Sequence, residues 1–319
     1  MDNKNRFWGS KFIRILLITI ITIIGTLITY ACLAGADKSL QLDGQIVFIN
    51  WKEQIMILDV KSGRVLEITK DGRNFWPKWS PDGQKIAFAS IRGEHKNREI
   101  YVIDADGKNL KRLTHTKDGN ASDPRWNFNG KILFFQSTIK GNIQENSIEL
   151  ITGEIKTIIG TGGVGETKMK ERLEKMRRIF QVFQSPNGRY QVLFYKYEPE
   201  RKIEFIDMDT DSKKELKTTN PGQPSWSKDS RRIAYVTGYI PNQVLAIFNV
   251  EENKFYEIKL PSGPETGCGG ELSWNRNSSR IVYSCGTPYS EKEDSRLYML
   301  DLETKKSSML IKGSSPDWH

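Results

Sequence analysis

Residues 75–114 read FWPKWSPDGQKIAFASIRGEHKNREIYVIDADGKNLKRLT, and this stretch predicts four short β-strands in succession. Residues 81–83, Pro-Asp-Gly, predict a tight turn, because proline fixes one φ angle and glycine accepts a positive one. Residues 85–90 and 99–103 are rich in side chains that favour strands, and the Asp-Ala-Asp-Gly turn at 104–107 precedes a fourth strand. A meander this short cannot bury both of its faces alone, so we expect it to be one copy of a repeat.

The same pattern returns along the chain at nearly constant spacing. An aromatic residue, a Ser- or Asn-containing turn and a strand recur at Trp79, Trp126, Trp226, Trp274 and, in a degraded copy one place early, Phe183. With position 184 counted for the degraded copy, the successive spacings are 47, 58, 42 and 48 residues. A period of about 45 residues with four strands per unit is typical of a β-propeller.

The two ends of the repeated region complement each other. Residues 45–69 supply a second, third and fourth strand but no first strand, whereas residues 314–319 supply a first strand with nothing after it. Trp318 lies 44 residues after Trp274, which keeps the period. We therefore predict an all-β, six-bladed propeller of four-stranded antiparallel blades, closed by the C-terminal strand so that no sheet edge of the ring stays open.

These residues resemble the TolB-type, WD-like propeller repeats, above all in PKWSPDGQKIAF and IYVIDADGKNLKRLT. The resemblance covers residues 45–319. TolB carries an α/β domain before its propeller, for which we expect no room here, and oligopeptidase relatives carry a hydrolase domain, of which no G-x-S-x-G motif is seen. The resemblance therefore implies the fold, and it suggests a protein-binding role in envelope assembly.

The N-terminal segment predicts export or membrane attachment. Residues 15–36 are apolar and follow Lys11 and Arg14, and such a length can span a bilayer with the N-terminus in the cytoplasm. Three alternatives stay open: a signal peptide cleaved after residue 36, a retained membrane anchor, or lipidation at Cys32. We expect residues 1–36 to be this segment and residues 37–319 to be the propeller, in an extracytoplasmic (periplasmic or cell-surface) location.

Charge and motifs argue against nucleic acid, nucleotide and metal ligands. The net charge is +9, but its basic residues are spread through the blades. Residues 160–167, GTGGVGET, have Glu166 where a phosphate loop needs lysine. Only three histidines occur, and the Asp-rich segment 207–211 lacks the later residues of a calcium loop. We expect no cofactor, no metal and no catalytic residue.

An insertion at residues 160–180 predicts a helix from Glu166 to Phe180. Met169, Leu173, Met176 and Phe180 would share one apolar face, and basic residues fill much of the remainder. The helix either packs on its own propeller or binds a partner or a membrane surface. Its candidate contact residues are Lys168, Arg172 and Lys175.

Propeller topology also selects a face. Connections after the second and fourth strands of each blade are longer than those after the first and third, and long loops on a rigid scaffold usually carry binding residues. The candidate contacts on these loops are Arg92, Lys96, Arg98, Tyr239 and Tyr289. Cys268 and Cys285 flank one predicted hairpin, where they either form a disulfide or stay free thiols.

We therefore expect a monomeric, non-enzymatic protein-binding scaffold, attached to the membrane through its N-terminal segment. A propeller hydrolase or lyase, or an enzyme remnant, is the alternative, which the scarcity of histidine disfavours. A third possibility is glycan binding, but the tryptophans at 76, 79, 126, 226 and 274 are predicted to be repeat core rather than sugar platforms.

Overall fold

The computed structural model describes residues 43–94, 96–140, 142–159, 179–195, 201–216, 218–261, 267–286 and 294–319. The chain divides into two units, residues 1–43 and 44–319, and the description below concerns the second. No α-helix occurs among the described residues, and none of their segments could cross a membrane as a helix. The predicted N-terminal hydrophobic helix lies outside them.

Six four-stranded antiparallel sheets make up this unit, as the repeat spacing predicts. Blade 1 consists of β1 (Gln45–Ile49), β2 (Ile55–Asp59), β3 (Val65–Glu67) and β24 (Ser314–Trp318), in the order β24-β1-β2-β3. Blade 2 consists of β4 (Arg73–Trp79), β5 (Lys85–Ile91), β6 (Glu99–Asp104) and β7 (Lys111–Arg112). Blade 3 consists of β8 (Gly119–Trp126), β9 (Ile132–Ile139), β10 (Asn142–Glu149) and β11 (Ile155–Ile159).

The remaining three blades follow the same order along the chain. Blade 4 consists of β12 (Ile179–Gln184), β13 (Tyr190–Tyr195), β14 (Lys202–Asp207) and β15 (Ser212–Leu216). Blade 5 consists of β16 (Ser225–Trp226), β17 (Arg232–Thr237), β18 (Val244–Asn249) and β19 (Lys254–Lys259). Blade 6 consists of β20 (Gly267–Trp274), β21 (Arg280–Gly286), β22 (Arg296–Asp301) and β23 (Lys306–Lys312).

The end of the predicted helical insertion needs correction. Ile179 and Phe180 belong to β12, where Ile179 pairs with Tyr195, so the helix cannot extend to Phe180. Strand pairing with β13 satisfies the backbone groups that a last helical turn would have used. Residues 160–178 of the insertion lie outside the described residues.

The ring closes through its tail strand, as predicted. Ile46 pairs with Trp318 in the antiparallel β1–β24 ladder, and the amide of Gln45 donates to the carbonyl oxygen of His319 at 3.0 Å. The Trp318 side chain is 1 % exposed. Blade 1 is therefore built from both ends of the repeated region.

Apolar side chains fill the space between neighbouring blades. One cluster joins Val47 and Ile55 of blade 1 to Trp79, Ile86 and Tyr101 of blade 2, because alternate residues of each strand face the adjoining sheet. Three of the repeated tryptophans also tie blades together through their indole nitrogens, whereas the buried indole nitrogen of Trp79 has no hydrogen-bond partner among the described residues. Each bond goes to a backbone carbonyl oxygen of the preceding blade: Trp126 to Lys78 at 3.0 Å, Trp226 to Phe183 at 3.1 Å and Trp274 to Ser225 at 3.1 Å.

Candidate functional site

The first strands of blades 1, 2, 3 and 6 carry a bend just before their repeated tryptophan. In three blades this bend is a residue with positive φ followed by proline, at Trp76 (φ 50°), Asp123 (φ 53°) and Ser315 (φ 52°). A non-glycine residue in this region is strained by about 1 kcal/mol or more and persists only where its surroundings hold it. These bends interrupt the ladder between the first and second strands of their blades.

A buried ion pair spans the central channel. Nζ of Lys78 on β4 lies 2.9 Å from Oε2 of Glu271 on β20, and the two side chains are 16 % and 7 % exposed. These strands belong to blades 2 and 6, with blade 1 between them, so the pair bridges non-adjacent blades. Neither oxygen of Glu271 has an aligned hydrogen bond among the described groups, so charge holds this contact.

Asp317 on β24 links three blades at the same level. One carboxylate oxygen accepts the backbone N–H of Trp79 at 2.8 Å, and the other accepts the hydroxyl of Ser273 at 2.9 Å. The side-chain amide of Gln181 donates to the carboxylate of Asp123, which joins blades 3 and 4. The inner strands thus share a polar network that none of the blades completes alone.

Burial and the neighbouring charges shift the pKa of Lys78 in opposite directions. Burial lowers the pKa of Lys78, but the neighbouring carboxylates of Glu271 and Asp317 outweigh it and raise the pKa above its ordinary value. Burial raises the pKa of Glu271 despite the attraction of Lys78, and Asp123 adds to the rise. Lys78 therefore stays charged, and Glu271 depends on it for compensation.

A second perturbed carboxyl lies in blade 3. Burial raises the pKa of Glu145 to about 7, although Arg125 opposes the rise. Glu145 accepts from the Arg125 guanidinium, whose Nε lies 3.6 Å from Asp123. Among the residues that the structure describes, no group of three or more His, Cys, Asp or Glu side chains is arranged to hold a metal ion.

The two ends of the propeller differ. We call the end with the connections after second and fourth strands the long-loop face, and its described parts include residues 50–54, 68–72, 92–94, 96–98, 113–118 and 238–243. The opposite end, with residues 60–64, 80–84, 127–131 and 150–154, is the short-turn face. On the long-loop face Tyr239 is 66 % exposed, Trp51 is 51 % exposed and Lys96 is exposed.

Aromatic and guanidinium groups meet at the inner edge of this face, in blade 2. Cζ of Arg98 lies 5.0 Å from the ring centre of Trp76 and 5.4 Å from that of Phe75, and the two rings are 5.5 Å apart. Arg73 lies over Phe75 at 5.9 Å and is paired with Glu53 at 2.7 Å. Burial, and secondly the like charge of Arg73, lower the pKa of Arg98. We call Arg73, Phe75, Trp76 and Arg98 the arginine–tryptophan cluster.

Arg92, a predicted contact, is engaged within its own blade. Its guanidinium pairs with Asp71 and donates to the side-chain oxygen of Asn74 at 2.9 Å. It also lies 5.5 Å from the ring centres of both Phe88 and Tyr101. These contacts place Arg92 among the groups that fix the loop rather than at its tip.

The other predicted contacts divide between described and undescribed residues. Lys168, Arg172, Lys175, Tyr289 and Cys32 lie outside the residues that the structure describes. Cys268 and Cys285 are directly opposite each other on β20 and β21 and are joined by a disulfide, with their Cα atoms 4.0 Å apart. A bulge between Gly269 and Leu272 brings them into register.

The sequence interpretation missed the buried charged residues of the inner strands. It assigned Trp76 to the repeat core, and the structure confirms this assignment: Trp76 is partly buried and packs against the apolar cluster between blades 2 and 3, with Arg98 over its ring. The missed residues do leave a signal in the four-residue motifs that end at Trp79, Trp126 and Trp318 and read WPKW, DPRW and SPDW. In these motifs the proline and the final tryptophan are constant. The third residue is always charged and changes sign, which marks it as a polar and not a packing position.

The family model described as the TolB beta propeller domain matches residues 44–263. The chain belongs to the TolB β-propeller family. An uncharacterised protein of Agrobacterium fabrum is 25 % identical over 222 residues, which are 66 % of this chain and 72 % of that protein. The Tol-Pal system protein TolB of Francisella tularensis is 38 % identical over 61 residues, which are 19 % of this chain and span only 14 % of the length of that TolB.

Solved structures show the same propeller at low sequence identity. TolB from Acinetobacter baumannii superposes with a TM-score of 0.65 and 20 % identity, covering 88 % of this chain and 67 % of that one. Hydrazine synthase from Kuenenia stuttgartiensis superposes with a TM-score of 0.59 and 14 % identity, covering 86 % of this chain and 46 % of that one. At these identities the likeness extends to the fold alone, which this family member shares with TolB and with hydrazine synthase.

Proposed function

We propose that this TolB-family propeller is a non-enzymatic, extracytoplasmic scaffold that binds a protein partner on its long-loop face. The observation that carries the proposal is the collection of Trp51, Trp76, Arg98 and Tyr239 on that one face. Tryptophan, tyrosine and arginine are the residues that contribute most to protein–protein binding. A rigid six-bladed ring holds them without an ordering cost on binding.

Two further observations support this assignment. The Francisella relative is named as a Tol-Pal system protein, which is consistent with a role beside other envelope proteins. The basic residues Lys11 and Arg14 precede the apolar residues 15–36, and this arrangement supports export of the propeller. The segment would then be cleaved, retained as a membrane anchor, or lipidated.

Site-specific photo-cross-linking tests the choice of face. A photoreactive phenylalanine analogue at Tyr239, in the full chain within cells, is expected to give a discrete cross-linked protein. The matched control places the same analogue at Phe128, an equally prominent aromatic residue that is 79 % exposed on the short-turn face. Cross-linking of the same protein from both positions, or from Phe128 alone, would contradict the proposal.

A propeller hydrolase or lyase is the second candidate, and one observation favours it. Glu145, with a pKa of about 7 beside Arg125, has the properties of a general acid or base near neutral pH. Turnover of a peptide or polysaccharide by the full chain, abolished in Glu145→Gln, would establish this alternative. Absence of turnover across such substrates, together with the Tyr239 cross-link, supports the scaffold.

A further inference from the structure

We propose that the arginine–tryptophan cluster is a recognition site for side-chain carboxylates, so that the partner presents an acidic segment to blades 1 and 2. This inference rests on the proposed function and adds to it the chemistry of the partner.

The guanidinium of Arg98 contacts aromatic rings. It lies over two of them, at 5.0 Å from Trp76 and 5.4 Å from Phe75. A guanidinium that contacts rings and donates to no neighbouring side chain keeps its N–H groups available, and those groups match a carboxylate in geometry. The guanidinium of Arg98 takes part in no ion pair or hydrogen bond among the described residues, and only its backbone N–H donates to the side chain of Asn120.

The neighbouring arginines differ from Arg98 because each has a carboxylate partner. Arg73 has Glu53 as a partner at 2.7 Å, and Arg92 pairs with Asp71. Arg98 is the member of this group that is half-buried without a carboxylate in the described part of the chain, and Arg73 beside it adds repulsion. An incoming carboxylate would relieve that repulsion and gain two charge-assisted hydrogen bonds at once.

The loops around Arg98 carry a net positive charge. Residues 50–54, 71–76 and 92–98 together carry five Lys and Arg side chains against three Asp and Glu side chains. Exposed Lys96 and Trp51 lie on the same face, which extends the cationic and aromatic surface outward from Arg98. An acidic segment with interspersed apolar or aromatic residues is complementary to this surface.

The choice of occupant follows from the same features. A nucleic acid or an anionic membrane would be expected to meet a broad field of exposed lysines, because binding there scales with the number of phosphate contacts. Here one half-buried cation lies over two rings and has no carboxylate partner among the described residues. That geometry fits a single carboxylate better than a phosphate array.

Calorimetric titration of the full chain in detergent tests the inference. The probes are two blocked heptapeptides, Ac-GEGDGEG-NH2 and its uncharged counterpart Ac-GQGNGQG-NH2. We expect the acidic peptide alone to bind, to weaken with added salt, and to move the indole N–H resonance of Trp76, identified by its absence in Trp76→Phe. Equal binding of both peptides would overturn the inference.

A matched pair of variants locates the binding. Arg98→Gln removes the charge but keeps the backbone N–H of residue 98 bonded to Asn120 at 2.9 Å, so the loop stays tied. We expect the dissociation constant to rise about tenfold or more, as for loss of a charge-assisted hydrogen bond. Arg64→Gln, an exposed arginine on the short-turn face, should change nothing.

Three outcomes distinguish the inference from the proposed function. If Arg98→Gln binds the acidic peptide as tightly as the parent chain, the carboxylate site is wrong. If phosphatidylglycerol vesicles or single-stranded DNA bind through Arg98 while the acidic peptide does not, the occupant is wrong. If the Tyr239 cross-link persists in Arg98→Gln at undiminished yield, the scaffold function stands and the acidic-partner inference fails.

Discussion

The ion pair across the channel gives a quantitative prediction for Lys78→Met. Methionine keeps most of the lysine volume but leaves Glu271, whose side chain is 7 % exposed, without its cation. Removing one partner of a buried ion pair costs about 3–5 kcal/mol in proteins, because the remaining charge is uncompensated. The bridge joins blades 2 and 6, so the loss should destabilise the ring as a whole.

Thermal and urea unfolding of the full chain in detergent measure this loss. For a domain of this size a destabilisation of 1 kcal/mol lowers Tm by about 2–4 °C, so Lys78→Met should unfold roughly 10 °C lower than the parent chain. Burial already raises the pKa of Glu271 in the folded state. A carboxyl with a raised folded pKa loses stability as pH rises through that pKa, so the deficit of the variant should be smaller in mild acid than at alkaline pH.

The double variant Lys78→Met with Glu271→Met provides the control. Replacing both members of a buried pair by apolar side chains is often neutral or stabilising, so we expect recovery of most of the lost stability. Asp317 keeps its hydrogen bonds to Trp79 and Ser273 in both variants. A Lys78→Met chain within about 0.5 kcal/mol of the parent, or a double variant worse than the single one, would refute this reasoning.

Three further predictions concern other parts of the ring. Glu145 has a folded pKa of about 7 against an ordinary value of 4.5. Its contribution to stability is therefore complete below pH 4.5 and is lost as the pH rises to about 7. Glu145→Gln should flatten the pH dependence of urea unfolding over that interval. The double variant Cys268→Ser, Cys285→Ser opens a loop of 17 residues and should lose about 3 kcal/mol, whereas a reductant should leave its Tm unchanged while lowering that of the parent chain. Trp318→Ala removes a side chain that is 1 % exposed and should cost about 3–5 kcal/mol by urea unfolding, and a loss below 1 kcal/mol would mean that the tail strand adds little to closure.

The sequence predicts the blades because the features that define them are local and repeated. Trp79, Trp126 and Trp274 recur with the same turn and strand after them. Trp126 and Trp274 donate from their indoles to the preceding blade, and the ring of Trp79 packs in the cluster between blades 1 and 2. Trp318 stays on the same period, so ring closure could also be predicted. A period is visible in a single sequence because each copy repeats the physical requirement of its neighbours.

The contents of the channel could not be predicted in the same way. Lys78 and Glu271 meet only because the ring brings two inner strands together across blade 1, and their separation along the chain carries no local signal. Arg92 and Arg98 look alike in the sequence, and only the positions of Asp71 and Trp76 distinguish the paired arginine from the unpaired one.

The composition of blade 1 has a consequence for how the protein is made. Its strand β24 pairs with β1, so Ile46 must wait for Trp318, which the ribosome supplies only after every intervening blade has been synthesised. Until then β1 has an unsatisfied edge that can pair with other chains, and the first blade to begin is the last to be finished. A nascent chain interrupted before β24 would therefore expose the unpaired edge of β1 to aggregation. A chaperone that shields this edge should reduce aggregation most during translation.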